Sequence, residues 1–295
     1  MSDSFKTGTA RTAGILAMTD LAAAEQFLAG HARVLDRRRF ERLFRDGEAG
    51  PVRDAVAAYR NRDGGLGQGL EPDGRGPGSQ GPAVAMGLRV LHEADAWDDD
   101  LVGGICDWLD AAAPPEGATT FVDPSVEGWP HAPWWQVQPE LGPSMISAGL
   151  IVGILLTRDV RHPWIDRTVD WLRETAPTAD SPYNLYGALG FAEHEPGLAE
   201  RLAPAIKRVV TLDPDAEGEV HGPLGFAPRP DSVARPQFHP ADIERHLDHL
   251  ANAQLGDGGW MFNFPVWSPV QENDWRGVFT VDALVSLRDN GRPVN

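Results

Sequence analysis

Three side chains able to move a proton, Asp73, Asp123 and His131, fall in two stretches that read as loops, EPDGRG at 71–76 and FVDPSVEGWPHAPWWQ at 121–136. A carboxyl group kept in an apolar site retains its proton and acts as a general acid, and an imidazole of near-neutral pKa accepts one. The same stretches carry Glu71, Arg75, Glu127 and the adjacent Trp134 and Trp135, whose indole faces suit a passing cation or a stacked sugar. Each residue also has a plainer use. Asp73 is a turn residue in EPDG, Asp123 precedes Pro124 as a cap, and tryptophans pin long loops onto a domain. Arg75, Arg229 and Arg276 suit an anionic ligand head, with local carboxylates as their nearer partners.

The elements that must position these groups are helices. Strand-type alternation is nearly absent, and helical periodicity predicts helices over 19–30, 32–46, 51–60, 80–93, 98–112, 143–157, 161–175, 182–192, 196–210, 239–254 and 276–289. CDWLDAAAP at 106–114 overlays VDWLRETAP at 169–177, and the same offset superposes the helices before them, so the repeating unit is a helix pair. Within a pair, segments such as 161–175 are amphipathic whereas 145–156 is apolar all round and must be surrounded by protein. An outer and an inner layer follow, and the expected fold is an all-α, α/α toroid of about six helix pairs in one domain spanning 1–295.

Inner-to-outer links are short (94–97, 158–160, 193–195), and outer-to-inner links are long (61–79, 113–142, 255–275), so the long loops gather at one end of the ring. The stretch 211–238, rich in Pro and Gly, replaces an inner helix and is expected to be irregular. Gln80, Ser144, Tyr183 and Asn184 open inner helices and are placed at the loop-bearing mouth. Phe226, Trp267, Glu272 and Arg276 join them from the neighbouring connections as candidate substrate contacts.

Composition narrows the partners. A net charge of −17 disfavours nucleic acid and anionic lipid surfaces. The longest apolar run, MISAGLIVGILL at 145–156, is too short to span a bilayer, and the first thirty residues lack a leader pattern, so a cytoplasmic protein is expected. The single cysteine, Cys106, excludes cysteine-pair metal sites and reads as a buried structural thiol.

Two related glycine motifs follow outer helices, DGGLG from residue 63 and QLGDGGW at 254–260, where glycine permits the positive φ that a chain reversal requires. Gln254 is expected to satisfy backbone groups at the helix end and Trp260 to wedge between outer helices. The pattern Leu250, Gln254, Gly258, Trp260 resembles the QW repeat of the squalene–hopene and oxidosqualene cyclases, whose toroids are shared with protein prenyltransferase β subunits. In the first copy Arg60 and Leu66 replace the glutamine and tryptophan, and 59–80 resembles the first repeat of small bacterial prenyltransferase-like proteins.

The resemblance implies an isoprenoid substrate and carbocation chemistry. The cyclase acid motif Asp-x-Asp-Asp is missing, and the nearest run, DAWDDD at 95–100, lies at the opposite end as a helix cap. Asp-Asp-x-x-Asp and Asp-x-Cys are missing too, so no metal or cofactor is expected. The leading expectation is acid-initiated cyclisation or isomerisation in an apolar central cavity. Asp73 or Asp123 would be the acid, His131 the terminating base, and Trp134, Trp135, Tyr183 and Trp267 the cation-stabilising walls. Two alternatives stand beside it: a glycan-active barrel with two loop carboxylates, and a non-catalytic toroid holding a hydrophobic ligand or a partner protein. Oligomeric state leaves no trace in the sequence.

Overall fold

The computed structural model describes residues 19–140 and 142–295. In chain order the described residues form α1 (Leu21–His31), α2 (Val34–Phe44), α3 (Gly50–Ala57), α4 (Gly81–Glu93), α5 (Asp99–Ala112), α6 (Met145–Thr157), α7 (Pro163–Thr175), α8 (Pro182–Ala192), α9 (Leu198–Val209), α10 (Pro223–Phe226), α11 (Pro240–Asn252) and α12 (Pro269–Asp289). Among them there is no strand, only isolated bridges. Local chemistry sets the starts: Asp20, Asp98, Ser144, Ser181 and Ser268 accept first-turn N–H groups of α1, α5, α6, α8 and α12. Proline opens α3, α4, α7 and α11, where its missing donor is not needed.

Odd-numbered helices form the outer layer and even-numbered helices the inner one. Around the inner ring α4 packs on α6, α6 on α8, α8 on α10 and α12 on α2, and the outer helix α1 meets α12. At the seam the segment around Leu21 pairs with the last described residues, Leu21 N–H donating to the Asn295 carbonyl at 2.7 Å. Inner helix α6, apolar all round, lies against α8 through glycines. A Cβ on Gly149 would stand 2.0 Å from the Gly187 carbonyl oxygen, and one on Gly153 2.3 Å from that of Gly190. Only backbone-to-backbone contact permits this approach.

Charged residues tie the inner helices α2, α4 and α12 together. Arg39 of α2, 1% exposed, reaches Glu93 of α4 at 2.6 Å and Asp282 of α12 at 2.8 Å, and Arg89 of α4 binds Asp282 at 2.8 Å. Burial raises the Asp282 carboxyl pKa, but the charges of Arg89 and Arg39 outweigh it and hold the group below its usual value. Breaking such a buried pair leaves an uncompensated charge.

The QLGDGGW segment closes the circle. Gln254 accepts from Asp20 N–H at 2.8 Å and donates to the Asp20 carbonyl at 2.8 Å and the Gly258 carbonyl at 3.0 Å. The last outer helix is thereby tied to the first. Trp260, 2% exposed, donates its Nε1–H to the Leu250 carbonyl at 2.9 Å. Gly258 adopts φ +93°, and a Cβ there would lie 2.1 Å from the Ala23 carbonyl oxygen.

One expected region and one boundary matter for the site. Region 211–238 is mostly irregular, as anticipated, with α10 a single turn in place of an inner helix. Helix α12 begins at Pro269 instead of 276, so the last long connection ends at Ser268 and Glu272, Asp274 and Arg276 lie on a helix. The reading of the N-terminus as leader-free falls, for residues 1–18, outside the described residues. No described helix is long and apolar enough to cross a membrane.

Candidate active site at the loop end of the ring

The chain 67–76 leaves the first glycine turn and runs inward, burying Leu70, Glu71 and Asp73 to 0%, 8% and 5% exposure. The second long loop lies along it as a short backbone pairing. Arg75 N–H donates to the Pro130 carbonyl at 2.9 Å and Ala132 N–H to the Asp73 carbonyl at 2.7 Å. This register carries Trp134 onto Asp73. The first two turns of α12 supply Gln271 and Trp275, four residues apart and therefore on one helix face.

The Asp73 carboxylate is held by three donors. Gln271 Nε2 and Trp275 Nε1 approach Oδ1 at 3.1 and 3.0 Å, and Trp134 Nε1 approaches Oδ2 at 2.9 Å. Glu71 sits beside it, its Oε2 accepting Asp73 N–H at 2.8 Å. Burial first, and the charge of Asp73 second, push the Glu71 carboxyl well above the usual range, against smaller opposing effects of Arg33 and Arg75. Those arginines are engaged elsewhere: Arg75 pairs with Asp274 at 2.6 Å, and Arg33 pairs with Asp36 at 2.9 Å while donating to the Leu70 carbonyl at 2.7 Å.

Aromatic rings surround this pair. Trp275 meets Phe264 and Phe279 with ring centroids 5.4 and 5.9 Å apart, and Phe262 stacks on Phe264 at 4.3 Å. A second group, from α8 and region 211–238, joins Tyr183, Tyr186, His221 and Phe226. Tyr183 donates its hydroxyl to Glu219, and burial, that bond and nearby negative charge, Asp73 included, hold the phenol above its usual range. A partly open cavity bounded by Leu70, Glu71, Gln80, Val126 and Trp135 measures about 10 Å³, room for roughly one water, and is smaller than the substrate-sized cavity expected. Exposed apolar surface lies instead on the mouth, where Tyr183 and Trp134 remain 47% and 41% exposed.

Of the sequence candidates, Asp73, Trp134 and Tyr183 fall at this mouth. Asp123 takes its plainer use: it caps the 3-10 turn Pro124–Val126 by accepting Ser125 N–H at 2.8 Å, and Gln80 clamps its backbone from both sides. His131 sits on the pairing with Gly74, its Nδ1 2.7 Å from the Trp129 carbonyl oxygen. Trp135 is buried and pins the loop within a small separate core of Val122, Val126 and Ala132, against which Trp267 packs. Both indole N–H groups there are buried without a partner. Ser144 caps α6, Asn184 sits half-buried in the first turn of α8, and Phe226 is buried under Tyr186.

Arg276 binds Asp257 at 2.7 Å and stands over the Phe27 ring of the outer helix α1 at 4.4 Å. Arg75 and Arg229 are likewise committed to local carboxylates. Glu272 is half-buried in the first turn of α12. Gln271, Trp275, Phe264 and Phe279 were missed. A signal for the first two existed: Ser268, Pro269 and Gln271 form a capping pattern that starts a helix seven residues before 276. Cys106 is buried in α5, its thiol pushed up to about 11 by burial and by Asp107.

The sequence matches no protein-family model and no curated protein. Among solved structures the fold is similar to that of a protein from Actinoplanes, at 15% identity over 91% of this chain and 88% of that one, with a TM-score of 0.53. It is also similar to the type II terpene cyclase MstE from Scytonema. In the complex of that cyclase with its substrate, geranylgeranyl dihydroxybenzoate, identity is 13% over 90% and 84% of the two chains, with a TM-score of 0.50. For an apo form the values are 12%, 90%, 84% and 0.51. At these identities the likeness is one of fold, an α/α toroid similar to that of the cyclase.

Proposed function

We propose that the protein binds an isoprenoid or lipid-like polyene at the aromatic mouth and cyclises or isomerises it by acid-initiated carbocation chemistry without a metal. The observation that carries this reading is the buried Glu71 and Asp73 pair, without an ion-pair partner of its own, set under indole donors and beside the Trp275, Phe264 and Phe279 rings. A proton held there is delivered where aromatic faces, worth about 2 kcal/mol or more each when water is excluded, stabilise the cation produced. The fold likeness to a type II terpene cyclase supports the substrate class.

His131 keeps its role as terminating base in this proposal only through Nε2, since Nδ1 faces the Trp129 carbonyl. The glycan-active alternative needs carboxylates facing each other across a wet cleft, and Glu71 and Asp73 sit side by side on one loop instead. The non-catalytic alternative draws support from the cavity of about 10 Å³ but provides no use for a buried carboxyl with a raised pKa. Incubation with prenyl diphosphates, polyprene alcohols and oligosaccharides, followed by native mass spectrometry and product analysis, separates the three. An isomerised polyene supports the proposal. Bound but unchanged polyene supports the non-catalytic toroid, and oligosaccharide cleavage the glycan enzyme.

A further inference from the structure

Two carboxyl groups, each more than nine-tenths buried, share the loop 71–73, and no described arginine, lysine or histidine forms an ion pair with either. Two adjacent buried anions without a counter-ion are too costly, so one group keeps a proton. Hydrogen-bond polarity decides which. Asp73 receives an indole N–H on each oxygen, from Trp275 and Trp134, and an amide N–H from Gln271. An amide can be turned end for end, but an indole nitrogen only donates. A proton on either oxygen of Asp73 would therefore compete with a fixed donor. Glu71 accepts only one bond, from Asp73 N–H to Oε2, which leaves Oε1 free to carry hydrogen.

We infer that Glu71 is the proton-bearing acid of this site and Asp73 its fixed anionic partner, an assignment that rests on the reading of the mouth as an acid-initiated centre. The charged and titratable groups around Glu71 are Asp73 on its own loop, Arg33 and Asp36 from α2 and the preceding turn, Arg75 with Asp274 of α12, and Tyr59 beside Arg33. The arginines are already neutralised by Asp36 and Asp274, so the pair faces little net positive charge. Glu71 also lines the small cavity together with Trp135.

The step balances without a co-reactant. The O–H bond of Glu71 breaks as the alkene π pair forms a C–H bond, and the neighbouring carbon becomes the cation. Glu71 is left as a second anion beside Asp73, so the site is most negative when the substrate is most positive. Loss of a proton to His131 Nε2 from a carbon adjacent to the final cation forms the product alkene, and proton exchange with solvent restores the Glu71 carboxyl and the neutral imidazole.

The test is infrared spectroscopy of the intact protein at neutral pH, with Glu71→Gln and Asp73→Asn compared against wild type. Wild type is expected to show the C=O stretch of a protonated carboxyl, lost in Glu71→Gln and kept in Asp73→Asn because burial alone still holds the Glu71 proton. A band that survives in Glu71→Gln, or none in wild type, overturns the assignment. The spectrum reads the proton whether or not any polyene turns over. Band loss in Glu71→Gln without wild-type conversion of polyenes therefore leaves the assignment standing and rejects the isoprenoid reading. Melting curves confirm that both variants fold, and Glu71→Asp, which restores a carboxyl, is expected to restore the band.

Discussion

The two glycine turns of this molecule share a backbone and differ in what they do. After α3, Asn61 N–H donates to the Gly65 carbonyl and Asp63 accepts Gly65 N–H at 2.9 Å; after α11, Leu255 N–H donates to the Gly259 carbonyl and Asp257 accepts Gly259 N–H at 3.1 Å. Gly64 and Gly258 have φ +94° and +93°, and each abuts a backbone carbonyl of the next outer helix, that of Gly104 or of Ala23. The repeat that looks degenerate by residue type is intact in geometry. The later turn is sealed by Gln254, Trp260 and the Arg276–Asp257 pair, whereas the earlier one holds Asp63 to Ser79 at 2.8 Å and releases the chain into the carboxyl loop. One turn closes a ring. The other launches a site, and nothing in the turn itself says which.

Substitutions at matched positions sharpen this contrast. Glu71→Gln, in the loop that the first turn launches, is expected to lower polyene turnover by about 10²–10⁴-fold, the usual worth of an acid–base group. Asp257→Asn in the other turn is expected to leave turnover within error and to lower the melting temperature through its lost pairing with Arg276. Trp260→Ala should cost about 3–5 kcal/mol in urea unfolding and Leu66→Ala about 2–5 kcal/mol, since both side chains are fully buried. Gly258→Ala and Gly64→Ala should each destabilise by more than about 1–3 kcal/mol from strained φ alone, with the carbonyl clash added. Equal penalties would confirm that the turns are structurally equivalent, and a penalty at Gly258 alone would break the comparison.

The smallest expected effect is one of pH. Glu71 binds its proton more tightly folded than unfolded, so wild-type stability should fall as pH rises from the ordinary carboxylate range through the raised Glu71 value. Glu71→Gln removes that slope, and its melting temperature relative to wild type should rise as pH increases above the ordinary carboxylate range. A constant difference would show that Glu71 titrates normally.

Much of this fold was legible because helical periodicity, Pro and Ser starts and the alternation of all-apolar with amphipathic segments are local signals. The apolar 145–156 segment had to be an inner helix, and α6 is one. The site was legible in part. Asp73 and Trp134 were recoverable because loop length placed them at one end, but which tryptophan would reach Asp73 depended on the 73–75 and 130–132 pairing, a long-range register that no local pattern encodes. Trp275 and Gln271 were hidden by a polar stretch, QENDWR, whose face toward Asp73 emerges only once α12 starts at Pro269. Arg276 adjoins Trp275 in sequence, but its helical phase points it at Asp257, a pairing that is likewise long-range.

The central claim is that this mouth starts a reaction by placing a proton on carbon, and solvent isotope incorporation reads that event directly. A polyene product formed in heavy water by the wild-type protein should carry deuterium at the protonated carbon, and Glu71→Gln should form no labelled product. Product without deuterium, or labelling unchanged in Glu71→Gln, would contradict the account.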